Sequence, residues 1–243
     1  MRSPGHHSPM RRLAQAREHL DGATLDPVVL DGNLRDLARI NRRLGGASLS
    51  IRALRSLMPD GTLDVRLLDV GTGAADLPMA MVAARGPWQS LHVTAVDSRA
   101  EILEAAQRVT PGLAGRSDIE LRLADGRSLP FADGAFDVAH ASLVLHHLEP
   151  EDAARFLREL GRVSRLGVVL NDLARNRLAL VGAWFVLRTL TRNPYTLHDG
   201  VLSVRRAYTP DEATSLLREA GLAPIAEHHG FARHRWAIAA VPR

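Results

Sequence analysis

The sequence predicts an α/β protein built on a doubly wound sheet. Three observations carry that expectation. From residue 65 onward, short apolar runs alternate with segments of helical periodicity. The first run leads into a glycine turn, Gly71-Thr72-Gly73, and an acid stands at or near the end of each of the first three runs: Asp69, Asp97 and Asp125. The 243 residues suit one large domain, or one with a small lid, and 46% hydrophobic with 24% charged residues is a mixture able to bury a sizeable core. Disordered, collagen-like and coiled-coil classes are excluded on that composition.

The elements follow in order. In Asn33–Leu44 the residues Leu34, Leu37, Ile40 and Leu44 keep helical spacing, with Arg35, Arg39 and Arg42 on another face and Gly45-Gly46 as the stop. Val65–Val70 reads as a buried strand, followed by the glycine turn and a helix to about Arg85. Leu91–Val96, Ile119–Leu123, Phe136–Ala141 and Leu166–Leu170 read as further strands, with helices at Glu101–Val109 and around Phe156–Val163. Thr209-Pro210-Asp211-Glu212 is a capping box with proline at the first helical position, and Gly221 closes that helix. Leu222–His228 and Trp236–Val241 form a terminal antiparallel pair. Ala174–Tyr208 is too long for a simple connection and is expected to be a helical insertion over the carboxyl ends of the strands, where such sheets bind ligands. The division expected is a helical lid segment over 1–60 and the main domain over 61–243, with the insertion at 174–208.

Charge and cysteine content narrow the function. All 31 basic residues are arginine and the formal net charge is +4. The arginines are spread along the chain and aromatics make up only 4%, so composition bias explains the charge better than a nucleic-acid platform. With no cysteine there is no disulfide framework, thiolate metal site or cysteine nucleophile. The first twenty residues show no apolar leader, and His6 and His7 read as a frayed end rather than a metal site. The longest apolar run, Leu178–Leu190, reaches about 20 Å as a helix against roughly 30 Å of hydrocarbon. No membrane span and a cytoplasmic location are expected.

The residues after the first strand choose among ligands. A dinucleotide fingerprint wants glycine where Asp76 stands, and carboxylates at 69 and 76 would repel a diphosphate. They suit a ligand with a cationic end and no phosphate, such as S-adenosylmethionine. Asp97 is placed to accept from ribose hydroxyls, and Asp125 from an adenine amino group, with Gly126 leaving room for the ring. Each acid taken singly also reads as a turn residue; together they form one pattern.

The chain resembles the class I S-adenosylmethionine-dependent methyltransferases over about residues 35–240. Leu67–Asp76 is similar to their first motif, Val93–Ser98 to the acidic second strand, Leu123–Gly126 to the third and Phe136–Leu148 to the fourth. Arg39–Gly46, Asn171-Asp172-Leu173 and His198–Tyr208 look more narrowly like methyltransferases encoded beside bacterial type III polyketide synthases. The resemblance implies a Rossmann-like seven-stranded sheet with a terminal antiparallel strand, N-terminal helices and a helical insertion as lid. It implies S-adenosylmethionine as cofactor, held by Asp69, Gly71, Thr72, Gly73, Asp97, Ser98, Asp125, Gly126 and Ala141. Arg42 is a candidate partner for the methionine carboxylate, against a plainer reading as a solvated arginine. The narrower likeness implies O-methylation of a hydrophobic aromatic small molecule by a monomer or homodimer. The alternatives are C-methylation of a quinone-type ring, or cofactor binding without turnover. Ala75 departs from the glycine common in the family.

His146 and His147, just past the fourth strand, are candidates for taking a hydroxyl proton, histidine titrating in a useful range; His147 also reads as a packing or capping residue. Asn171-Asp172 invites comparison with magnesium-dependent catechol enzymes, but the fourth strand offers Ser142, His146 and His147 where those need an acid. No metal is expected, and Asn171 is taken to orient substrate. His198-Asp199 is a candidate dyad, although Asp199-Gly200 also reads as a turn. His228-His229 reads as structural, and the Leu178–Leu190 segment as a buried helix or the wall of an acceptor pocket.

Overall fold

The computed structural model describes residues 10–22, 26–58, 62–84 and 88–243; His6 and His7 lie outside them. Helix α1 (Pro27–Leu44) begins before the periodicity suggests, because Asp26 caps it: one carboxylate oxygen accepts from the backbone N–H of Val28 and Val29 at 2.9 Å each, and Pro27 occupies the first turn. Gly45 ends it in a left-handed conformation, and the chain re-enters a helix at once as α2 (Gly46–Arg55).

The sheet strands are β1 (Thr62–Val70), β2 (Trp88–Asp97), β3 (Ile119–Leu123), β4 (Phe136–Ser142), β5 (Ser164–Leu173), β6 (Leu222–His229) and β7 (Arg235–Pro242). Their order is β3-β2-β1-β4-β5-β7-β6. The first five are parallel, while β7 runs antiparallel between β5 and β6. This is the Rossmann-like seven-stranded arrangement expected. The connection reverses direction between β1 and β4, which opens a crevice at the carboxyl ends of the parallel strands.

Helices α3 (Asp76–Ala83), α4 (Ala100–Val109), α5 (Pro150–Val163) and α8 (Pro210–Glu219) complete the layers. Phe156, Leu157 and Leu160 of α5 pack with Leu216 and Leu217 of α8 and Trp236 of β7 in one core. Leu49, Ala53 and Leu54 of α2 share the second core with Leu67, Met81 and Val93. On the amino-terminal side of the division expected at residue 60, α2 thus packs against the sheet. Leu30 and Leu34 of α1 bury against Ala74 and Ala105, each burial worth about 1.5–3 kcal/mol, and this lays α1 across the glycine turn.

The insertion is a pair of helices, α6 (Arg177–Leu190) and α7 (Pro194–Arg206). Asn193 caps α7 by accepting from the N–H of Tyr195 and Thr196. The turn expected at Asp199-Gly200 is absent: both residues are inside α7, where Gly200 lets Leu187 of α6 approach closely. Among the described residues, no helix is long and apolar enough to cross a membrane.

Candidate active site

A cavity of about 1300 Å³ opens over the carboxyl ends of the strands. Its floor on one side is the β1–α3 loop. Gly71 has φ +72°, and a side chain there would collide with Val144; Gly73 has φ +54°, and a Cβ there would touch Leu34 Cδ2 at 3.9 Å. Thr72 Oγ1 is buried without a hydrogen-bond partner among the described residues. Asp69, Asp76 and Asp97 line the same side. Burial pushes the Asp97 carboxyl above its ordinary range, although the N–H groups of Gly73, Arg99 and Ser98 pull it back. Burial raises Asp76 likewise, opposed by the Asn41 amide. Buried carboxylates beside an unpaired hydroxyl and a bare glycine backbone match S-adenosylmethionine, a cationic and phosphate-free ligand.

Several candidates occupy this side as expected, and others do not. Ser98 lines the cavity, and so does Asp125, but both Asp125 oxygens are taken by Arg127, at 3.1 Å from Nε and 2.8 Å from Nη2. Gly126 lines the cavity too, and a Cβ there would collide with Phe156 and Val70. Ala141 does not reach the cavity; its side chain is buried in the core with Leu68 and Phe156. Arg42 is also misplaced: it is exposed on α1, and its neighbours Asn41 and Arg43 line the cavity instead. The helix turns about 100° per residue, so consecutive residues of α1 point in different directions.

On the other side stands His146, buried on a short turn after β4. Its backbone N–H donates to Asp172 Oδ2 at 3.1 Å, and Nδ1 pairs with Asp172 Oδ1 at 2.7 Å. Burial alone would raise Asp172, but the His146 charge and the N–H groups of Leu173 and His146 outweigh it and hold the carboxyl below the ordinary range. His146 Nε2 is left facing the Glu18 carboxylate at 3.7 Å, beyond hydrogen-bond reach. Burial pushes Glu18 up to about 7 despite His147 and Arg206 beside it. His147 is tied down as packing would have it, with Nδ1 on Asp21 Oδ1 at 2.9 Å.

Glu18 belongs to a segment that closes the cavity. Arg99 Nη1 donates to the carbonyls of Leu20 at 3.0 Å and Gly22 at 2.6 Å, Asp199 accepts from the N–H of His19 and Leu20, and Arg206 donates to Asp21 at 2.7 Å. His198 Nδ1 also pairs with Asp199 at 2.7 Å, so that dyad fastens the segment. Glu18, His146 and His147 bring three potential ligand atoms within 4.8 Å of one another, but Arg206 Nη1, 3.5 Å from Glu18, competes with any cation there.

Asn171, expected to orient substrate, is not among the residues lining the cavity. It is buried away from the cavity, donating to Gly46 O and Ser50 Oγ at 2.9 and 2.7 Å and accepting from Arg235 Nε at 2.6 Å. It is one link in a buried polar chain. Asp69 pairs with His140 (2.6 Å), His140 with Ser50 (2.8 Å), and beyond Asn171 the guanidinium of Arg235 reaches Asn41 (2.7 Å) and Ser142 (2.8 Å). Asn41 in turn donates to Asp76 at 3.1 Å. Arg235 lines the cavity and, among the described residues, its guanidinium hydrogen-bonds only neutral acceptors; burial lowers it to about 10 against the pull of Asp172 and Asp76. Sequence reasoning missed Arg235 and Glu18 altogether. Nothing in a lone arginine of a terminal strand, or a glutamate in a polar N-terminal stretch, marks either one.

Apolar residues also line the cavity, among them Leu34, Leu37 and Ile40 of α1 and Ala179, Ala183 and Val186 of α6.

Comparison with known proteins agrees with this geometry. Residues 67–167 match the family model described as a methyltransferase domain. The chain is 29% identical over 117 residues to the ubiquinone/menaquinone biosynthesis C-methyltransferase of Geotalea daltonii, covering 47% of this chain and 48% of that protein. It thus spans about half the length of the curated relatives it matches. A S-adenosylmethionine-dependent methyltransferase from Aquifex aeolicus superposes with a TM-score of 0.59 at 21% identity, covering 89% of this chain and 98% of that one. An O-methyltransferase family 2 protein from Planctomyces limnophilus, in complex with apigenin, gives 0.59 at 20% identity, over 92% and 64%. Residues 67–167 are thus similar to a methyltransferase domain, and the chain has the Rossmann-like fold of S-adenosylmethionine-dependent methyltransferases.

Proposed function

We propose that the chain transfers a methyl group from S-adenosylmethionine to a hydroxyl of a hydrophobic phenolic or polyketide-type small molecule. The observation that carries this reading is the sharing of one cavity by the acids of the strand ends, apolar residues of α1 and α6, and His146, which is paired with Asp172. The bound cofactor supplies an activated methyl group on a sulfonium. Asp69, Asp76 and Asp97 favour a cationic ligand on their side by charge. The apolar residues hold the ring and chain of the acceptor and keep water out. Asp172 holds the imidazole of His146 through Nδ1–H, leaving the Nε2 lone pair to take the hydroxyl proton. Such a base contributes typically about 10²–10⁴-fold. Arg235, a buried cation on the same cavity, favours the ionised oxygen by charge.

C-methylation of a quinone-type ring is the second reading, favoured by the similarity to the Geotalea C-methyltransferase. The test is incubation with methyl-labelled cofactor and a panel of alkylated phenols, quinols and quinones, followed by mass spectrometry. Label lost with a methoxyl fragment supports the first reading; label retained on ring carbon supports the second. Cofactor binding with no labelled product on any acceptor overturns both.

A further inference from the structure

Helix α6 is apolar around its whole circumference. Ala179, Ala183 and Val186 face the cavity, while Leu178, Val181, Trp184 and Phe185 form a stripe on the outside. The outer residues are open to solvent, from 50% for Trp184 to 65% for Val181. Phe231, 90% exposed, stands beside them on a short turn joined to the start of the helix by a hydrogen bond from Asn176 Nδ2 to Arg233 O at 3.1 Å. A helix of this kind is normally buried, and a contiguous exposed apolar stripe marks a surface that something covers.

The charges around the stripe say what. Arg177 stands at its amino end, with Arg188 and Arg192 at its carboxyl end, all three exposed, and no acid occurs between residues 173 and 198. The Arg188 guanidinium lies 4.3 Å from the centre of the Trp184 ring, an apolar ring with a cation above it. An isologous pair of such helices would bring arginines together with no acid from this segment to receive them. A surface of anionic lipid headgroups over hydrocarbon matches both components: the apolar stripe enters the acyl boundary, tryptophan sits at the headgroup level, and the arginines meet phosphate. At 14 residues, α6 is about 21 Å long. It is too short to span and suited to lie in the plane.

We propose that the outer face of α6, together with Phe231, docks the protein on an anionic phospholipid bilayer, and that a hydrophobic acceptor passes from the lipid into the cavity behind the helix. Leu178 and Phe231 belong both to the exposed patch and to the cavity lining, so they mark the passage between the two. Delivery of the acceptor rests on the function proposed above; docking does not, and it is measured without turnover.

The experiment is sedimentation of the full chain with vesicles of phosphatidylcholine alone, or of phosphatidylcholine with phosphatidylglycerol, at low salt. Trp88 and Trp236 are buried, which makes Trp184 the solvent-facing fluorescence reporter. Three arginines at about 1 kcal/mol each predict a preference for the anionic vesicles of roughly 100-fold, reduced by salt, with a blue shift of the Trp184 emission. The double variant Val181→Asp, Phe185→Asp is expected to lose more than tenfold in partitioning. It should bind S-adenosylhomocysteine like the parent, since neither side chain lines the cavity. Equal sedimentation with and without anionic vesicles overturns docking, whatever the acceptor panel gives. A dimer in light scattering that Phe185→Asp converts to monomer overturns it too, by assigning the face to a second copy. Vesicle binding without any methylated phenol leaves docking standing and removes only the acceptor.

Discussion

Ala75 stands in the left-handed region, with φ 55° and ψ 21°, at the start of α3, a conformation that glycine adopts more readily. The conformation costs an alanine about 1–2 kcal/mol. Its methyl is fully buried against the second core, worth about 0.8 kcal/mol, and glycine would add about 0.4–1 kcal/mol of unfolded-state freedom. These effects nearly cancel, so Ala75→Gly is expected to move the unfolding free energy in a denaturant titration by less than about 1 kcal/mol; a gain of 2 kcal/mol or more would mean that the methyl is strained rather than packed. His146 poses the sharper question at this scale. If its Nε2 takes the hydroxyl proton, His146→Ala should lose roughly 10²–10⁴-fold in kcat/KM on an ordinary phenol at pH 7. Part of that loss should return on a strongly acidic phenol, which arrives already ionised. A merely structural loss would be the same on both substrates.

The element that was hardest to foresee is the N-terminal segment carrying Glu18 and Asp21. No periodicity marks it, because it is fastened by hydrogen bonds from Arg99, Asp199 and Arg206 on three distant elements rather than by an apolar face of its own. The strands were legible by contrast: Ile119–Leu123 is observed with the bounds the apolar run suggests, and the Thr209 capping box forms with both of its reciprocal bonds. What fails to show in a sequence is which residue of a known element points where. Arg42 and Asn41 are adjacent letters, yet only Asn41 reaches the cavity and the buried polar chain.

Glu18 also gives the segment a pH dependence. Its folded value of about 7 lies above the ordinary 4.5, so its contribution to stability is fully present below pH 4.5 and lost as pH rises through 7. The shift of about 2.5 units corresponds to about 3 kcal/mol. Asp21 is shifted the opposite way, since His147 and Arg206 outweigh its burial, so its stabilisation is present above the ordinary carboxylate range and is lost only as pH falls below it. Thermal unfolding of Glu18→Gln should therefore show a flatter fall in stability between pH 5 and pH 8 than the parent. Parallel slopes would show that Glu18 is not buried by the closed segment.

Across the whole molecule, one cavity joins two chemistries. Seven elements supply the buried polar chain from Asp69 through His140, Ser50, Asn171, Arg235 and Asn41 to Asp76, and it runs beneath both sides. The acids of the proposed cofactor side stand at successive strand ends, a pattern visible along the chain. The proposed acceptor side shows no such pattern, because its groups come together only when β7 returns antiparallel and brings Arg235 to the ends of β4 and β5.

The central claim is that the acid-lined side is the S-adenosylmethionine site, with Asp97 accepting from the ligand. Calorimetric titration of the full chain with S-adenosylhomocysteine tests it most directly. Two charge-assisted hydrogen bonds to Asp97, together roughly 2–4 kcal/mol, predict that Asp97→Ala weakens binding by roughly 30- to 1,000-fold. Asp125→Ala, whose carboxylate is already engaged by Arg127, should lose far less. A dissociation constant unchanged by Asp97→Ala would contradict the account.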